Sequence, residues 1–173
     1  LNTKLQNITE ISELKLDPKL PTFVYSLSEG RFGKKPVRLY LSQDLKNVQI
    51  LNLTAFTDSK NLEKELQKTK LVTYDSKKLF HLFAELGMNE LVSRPVEHDI
   101  QIAAFLLNSL SRASTLTDLA NQEVKLKIQE DLPPEDLDSH YPEINQALIE
   151  LYERQTHQLK DLQELRSVLK EID

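Results

Sequence analysis

At 173 residues and without a cysteine, the chain is sized for one domain that buries its own core, and thiolate zinc sites, thiol nucleophiles and disulfide frameworks are excluded together. A formal charge of -5 argues against tight unaided binding to nucleic acid, and no apolar run approaches the roughly 18 to 20 residues of a membrane-spanning helix. The charge is uneven, about +4 up to residue 94 and about -9 beyond it, a split that by itself describes two solvated faces.

The N-terminus "LNTKLQNITE" lacks the charged-then-apolar order of a signal peptide, so a soluble, cytoplasmic protein without membrane contact is expected. Residues 1–20 are polar with scattered leucines and end at Asp17-Pro18, which reads as a linker entering the fold. "TFVYSLS" (22–28), "VRLYLS" (37–42) and "VQILNL" (48–53) are rich in β-branched and aromatic residues and are separated by short turn-forming stretches, so they predict an antiparallel meander. "NLEKELQKT" (61–69) predicts a helix, and "KLVTY" (70–74) a fourth strand parallel to the first, since a crossover helix precedes it.

Helices dominate the second half. Leu79, Phe80, Leu82, Phe83 and Leu86 recur at helical spacing behind Asp75, a candidate cap, and Gly87 supplies the stop. "VEHDIQIAAFLLNSL" (96–110) is apolar on most of its circumference and predicts a deeply buried helix. A short helix over 114–124 starts at Thr115 or Thr117, and the acidic, proline-bearing 128–140 predicts a surface loop. The last helix then begins at Tyr141-Pro142 and carries an apolar stripe to Ile172, with a break near His157 as one alternative. Unbroken, it is longer than the domain it would pack on, so its end is expected to reach something else.

This order gives an α/β, ribonuclease H-like mixed sheet: an antiparallel meander plus a parallel strand, flanked by helices, with a helical C-terminal half. Within that class "LVTYDSKKLFHLFAELGM", "HDIQIAAFLLNSLSRASTLTDLANQEV" and the terminal "LQELRSVLKEID" resemble the 3'-5' exonuclease (proofreading, DnaQ-type) domain of bacterial family A DNA polymerases, DNA polymerase I. The resemblance covers nearly everything from about residue 8. It implies a linker from a preceding domain over 1–20, an exonuclease-like domain over 21–157 and a helical connection toward the polymerase domain over 158–173.

Active members of that family hold two divalent cations on converging carboxylates, a geometry that activates water for phosphodiester hydrolysis. Carried over residue by residue, the family's Asp-x-Glu pair falls on Ser26 and Ser28, its helix aspartate on Leu79 and its late aspartate on Asn145, with the preceding tyrosine kept as Tyr141. All four acids are missing. The resemblance therefore implies a degenerate domain without catalytic residues, metal or cofactor of its own. Its parent would be a magnesium-dependent, template-directed polymerase that transfers nucleotides in replication and repair, is monomeric, and reaches DNA through its other parts.

Two other readings stay open. An exonuclease with an altered site would have to use Glu29, Asp99 and Glu143, of which Glu29 and Glu143 point away from the matched positions by strand and helix periodicity and Asp99 reads as a helix-start group. A single-strand-binding module would use basic residues such as Arg31, Lys34, Lys35, Arg38, Lys77 and Lys78, but aromatics make up only 6% of the chain. His81, His98, His140 and His157 fall on separate elements, and Gly30-Arg31-Phe32-Gly33 lacks the ending of a phosphate loop.

Overall fold

The computed structural model describes residues 2–108, 113 and 115–172. Its six strands are β1 (Lys4–Asn7), β2 (Thr22–Glu29), β3 (Lys35–Ser42), β4 (Asn47–Asn52), β5 (Leu71–Thr73) and β6 (His98–Asp99). The helices are α1 (Ser59–Gln67), α2 (Ser76–Glu85), α3 (Asn89–Val92), α4 (Ile100–Leu107), α5 (Leu116–Val124) and α6 (Pro134–Ile172). The sheet runs β1-β4-β3-β2-β5-β6. β2, β3 and β4 form the expected antiparallel meander, whereas β1 joins β4, β5 joins β2 and β6 joins β5 in parallel.

Alternation along the central strands divides the core in two. Phe23, Tyr25 and Tyr40 face α5 and α6, meeting Leu119, Tyr141, Ile144 and Leu148. Val24, Leu39 and Leu41 face the other way, onto Leu62 and Leu66 of α1 and Leu79, Leu82 and Phe83 of α2. Side-chain caps set where the helices begin. Asp58, Asp75, Asp99 and Thr115 each accept the backbone N–H three residues on, opening α1, α2, α4 and α5. Gly87, at φ +75°, ends α2 in the left-handed conformation that glycine adopts without a Cβ penalty.

Three expectations are corrected. Within the leader, Leu5 pairs in register with Val48 and Ile8 and Leu14 are buried, so this stretch is part of the sheet and its core. The apolar segment from residue 96 is not one buried helix. His98 and Asp99 pair with β5, α4 starts behind the Asp99 cap, and Ile102, Phe105 (65% exposed) and Leu106 (66%) face solvent while Ile100 and Ala103 are buried. Residues 109, 110 and 114 of the helices expected there lie outside the described residues.

Nor is 134–140 a loop. Pro134 takes the first helical position, where its missing N–H is no loss, and α6 runs through Pro142 and His157 to Ile172. Leu137, Tyr141, Ile144, Leu148 and Leu151 are all fully buried, so the stripe on the sheet starts one turn earlier than Tyr141. Past residue 160 the helix leaves the sheet: Leu162, Leu165, Val168 and Leu169 are exposed.

Candidate functional site

The carboxyl ends of the parallel strands β2 and β5 open into a cavity of about 390 Å³, roofed by the starts of α2 and α5 and the stretch before α6. Crevices at strand carboxyl ends are where open α/β sheets bind ligands. Ser26, Tyr74, Asp75, Lys78, Thr117 and Glu130 line it, among others.

Ser26 is 6% exposed and borders the cavity, while the alternation of β2 turns its side chain to the Val24 face, opposite Tyr25. Ser28 follows a register shift between Leu27 and Ser28 and sits half-buried under the hairpin turn, its Cβ close to Gly33. That bulge takes Ser28 out of the alternation that Ser26 obeys. Leu79 does not reach the cavity; it is fully buried with Val24, Leu39 and Leu82. Asn145 lies elsewhere. Its Nδ2 donates to Ser42 Oγ at 3.1 Å and to the Asp44 carbonyl at 3.0 Å, and Ser42 pairs with Phe23, about 10 Å along β2 from Ser26 at ~3.3 Å per residue. Only Ser26, of the four matched positions, lines the cavity.

The neighbouring acids are committed to backbone. Asp99 Oδ2 accepts from Ser76 N–H at 2.9 Å and Oδ1 from Ile102 N–H at 3.0 Å, joining the starts of α2 and α4. Asp75 Oδ1 accepts from Lys78 N–H at 3.1 Å. Glu29 and Glu143 are exposed. A divalent metal pair, which the fold class implies, does not fit the matched positions: two hydroxyls, an apolar side chain locked in the core and a neutral amide, with no carboxylate among them, make no cage for a hard cation. Among the described residues, no three His, Asp or Glu side chains converge as metal ligands.

The connection from α5 to α6 is held by a polar network absent from the sequence reading. Tyr25 donates to Glu130 Oε1 at 2.9 Å, and the other Glu130 oxygen accepts from the N–H and hydroxyl of Thr117. Tyr40 donates to Asp138 Oδ1, and Arg38, buried in the sheet, places Nε 3.1 Å from the same carboxylate while Nη1 donates to Asn52 Oδ1 at 3.0 Å. The available signal was two core-face tyrosines whose hydroxyls need partners, opposite a downstream stretch rich in acids.

Between these anchors Tyr25, Tyr40 and Tyr141 form one aromatic cluster. Tyr141 is fully buried, and its hydroxyl has no partner among the described residues. Burial pushes the phenols of Tyr25, Tyr40 and Tyr141 far up, helped at Tyr25 by the charge of Glu130 and at Tyr40 by the hydrogen bond to Asp138. Tyr74 is pushed up to about 12, first by burial and then by Glu130.

Strand order, the meander with a parallel extension, and helices on both faces define the ribonuclease H-like fold of DnaQ-type exonucleases. Two solved structures of Brucella melitensis NrnC, one with bound Mg2+, share this fold at a TM-score of 0.70 and 11% identity, over 94% of this chain and 83% of theirs. The POL domain of Pol1 from M. smegmatis, in complex with DNA primer-template and dNTP, matches at a TM-score of 0.63 and 17% identity over 82% of this chain. The chain spans 24% of that polymerase chain. At these identities the likeness is one of fold. No family model matches the sequence, and no curated protein does. Among the described residues no helix is long and apolar enough to cross a membrane.

Proposed function

We propose that the chain is the catalytically silent 3'-5' exonuclease-like domain of a bacterial DNA polymerase I, retained as a structural module beside the polymerase domain of the same polypeptide. The observation that carries this reading is Leu79. Where the resemblance puts a metal-binding aspartate, the side chain is fully buried in the α1/α2 core and supplies packing. Ser26, Ser28 and Asn145 complete a set without acids, and Asp99, the strongest substitute, has both oxygens engaged in holding helix starts. The exposed stripe of Leu162, Leu165, Val168 and Leu169 is the surface assigned to the polymerase part. In this reading the parent enzyme is a cytoplasmic, monomeric, magnesium-dependent nucleotidyltransferase of DNA replication and repair, and DNA is met through that parent.

The test is a 3'-labelled single-stranded oligonucleotide incubated with magnesium or manganese. An unshortened label is expected. Progressive shortening that disappears in Asp99→Ala overturns the reading and restores an altered exonuclease.

One feature favours a second reading, a single-strand-binding module. At the β2–β3 hairpin tip Phe32 is 77% exposed and held at φ 60°, with the Arg31 guanidinium 5.3 Å from its ring centroid and Lys34 and Lys35 beside it. An aromatic platform among cations is what base stacking and phosphate contacts use. Affinity for a single strand that falls steeply with salt and is lost in Phe32→Ala supports it; salt-insensitive or absent binding removes it.

A further inference from the structure

The β3–β4 turn is gripped by two elements that lie far apart in sequence. Asp44 fixes its backbone from within, its Oδ1 accepting from the N–H of Lys46 at 2.9 Å and of Asn47 at 2.8 Å. Three successive carbonyls are then shared out. That of Asp44 accepts from Asn145 Nδ2 of α6 at 3.0 Å, that of Leu45 from Thr3 Oγ1 at 2.9 Å and that of Lys46 from the Lys4 N–H at 2.7 Å. Asn145 Nδ2 also donates to Ser42 Oγ, and both side chains are 1% exposed, so the α6 grip is a buried one.

The N-terminal arm, residues 2–20, and this part of α6 belong to different cores. The arm is anchored by Ile8 and Leu14, buried with Leu39, Leu51 and Leu62. Tyr141, Ile144 and Leu148, around Asn145, lie in the cluster on the opposite face of the sheet. Packing alone would let either loosen without the other. The arm is also built to part from the body at modest cost. β1 is a four-residue strand at the edge of the sheet, and beyond it two side-chain amides serve as latches. Gln49 bonds the N–H and carbonyl of Lys15, both at 2.7 Å, and Gln43 bonds those of Asp17 at 2.9 and 2.8 Å. A segment held at a few points opens below the free energy of global unfolding.

We propose that the β3–β4 turn couples the arm to α6: release of the arm loosens α6 around Asn145, and loss of the Asn145 grip frees the arm. Asn145 is then a positioning residue that acts on Thr3 and Lys4 through the turn. Coupling through a shared element is reciprocal, so the effect runs in both directions. Coupling and catalytic silence are separable, since the oligonucleotide assay reads none of these bonds.

The experiment is native-state hydrogen exchange on the full chain, followed residue by residue. Asn145→Ala is expected to speed exchange of the Lys4 and Ile8 amides about tenfold more than that of α2, a loss a general destabilisation would spread evenly. Ile8→Asp drives the anchor out of the α1/α2 core, and is expected to speed exchange in α6 from Ile144 to Leu148 about fivefold, across the sheet from the change. Gln49→Leu opens the far latch without touching the turn, so the Lys15 amide is expected to exchange faster while Ile144 to Leu148 stay as they are. Thr3→Val, an arm-side change that leaves the core intact, replaces Asn145→Ala if that variant does not fold, and is expected to speed Lys4 in the same way. Unchanged Lys4 exchange in the turn variants, unchanged α6 exchange in Ile8→Asp, or equal acceleration of every amide overturns the proposal.

Discussion

Tyr141 lies flat on Tyr40, ring centroids 4.1 Å apart and planes within 8° of each other, yet its hydroxyl is sealed away without an acceptor. The ring and the hydroxyl therefore pull in opposite directions. Stacking and burial stabilise the α6–sheet contact, while an unsatisfied buried hydroxyl costs about 1–3 kcal/mol. Tyr141→Phe is expected to raise stability by about 1 kcal/mol and Tyr141→Ala to lower it by about 3–5 kcal/mol, both read from urea unfolding. A loss of stability in Tyr141→Phe would mean that the hydroxyl has a partner after all.

Leu79→Asp puts back the residue type of an active relative, but into a packed apolar site. Burying an unpaired carboxylate there is expected to cost about 3–5 kcal/mol or unfold the domain, with no gain of nuclease activity. Thermal unfolding followed by circular dichroism, alongside the labelled-oligonucleotide assay, checks both halves. Wild-type stability in this variant would place Leu79 at a hydrated site.

Arg38 and Asp138 tie the sheet to the start of α6, and Tyr40 donates to the same carboxylate. Arg38→Met strands that carboxylate, whose side chain is only 23% exposed, and is expected to cost about 2–4 kcal/mol. Pairing it with Asp138→Leu is expected to recover part of the loss, because both desolvated charges are then gone. A double-mutant cycle in chemical denaturation measures the coupling, and additive losses would show that the two residues act separately.

Alkaline pH should unfold the protein through its tyrosines. Each raised phenol binds its proton more tightly in the folded chain than in the unfolded one, so the folded state carries more protons above pH 10.0 and stability falls as pH rises. For Tyr74 this contribution is intact below about pH 10 and is lost as pH rises through about 12; Tyr25, Tyr40 and Tyr141 extend the loss further. Stability measured by urea unfolding is expected to decline from about pH 10 upward, with tyrosinate absorbance and unfolding appearing together. Full tyrosinate absorbance in a still-folded chain would contradict the burial of the cluster.

Much of this was legible in the residues. The meander, the parallel return after α1 and the Asp75 and Gly87 boundaries follow from period-two alternation, crossover handedness and turn chemistry, which are local. What escaped was decided by neighbours. Lys4 to Asn7 has no alternation of its own and is a strand because β4 offers it an edge. Pro133-Pro134 reads as loop until Leu137 and Tyr141 are seen to share a face with Leu148. Ile102, Phe105 and Leu106 read as core because hydropathy carries no direction. At the site, matching motif positions gave Ser26 its place in the cavity wall but put Asn145 in company it does not keep, since its amide belongs to the β3–β4 turn.

A helix of 39 residues is a rod of about 58 Å at 1.5 Å per residue, clamped near one end by Asp138 and bare over its last turns. Its length makes it a phase-setting axle. Each residue inserted between the packed and bare stretches turns the far end by about 100°, whereas seven nearly restore the original face. A body gripping Leu162 and Leu169 would thus see the sheet at an angle written in residue count, and a single deletion would turn it to a different face without disturbing any core contact.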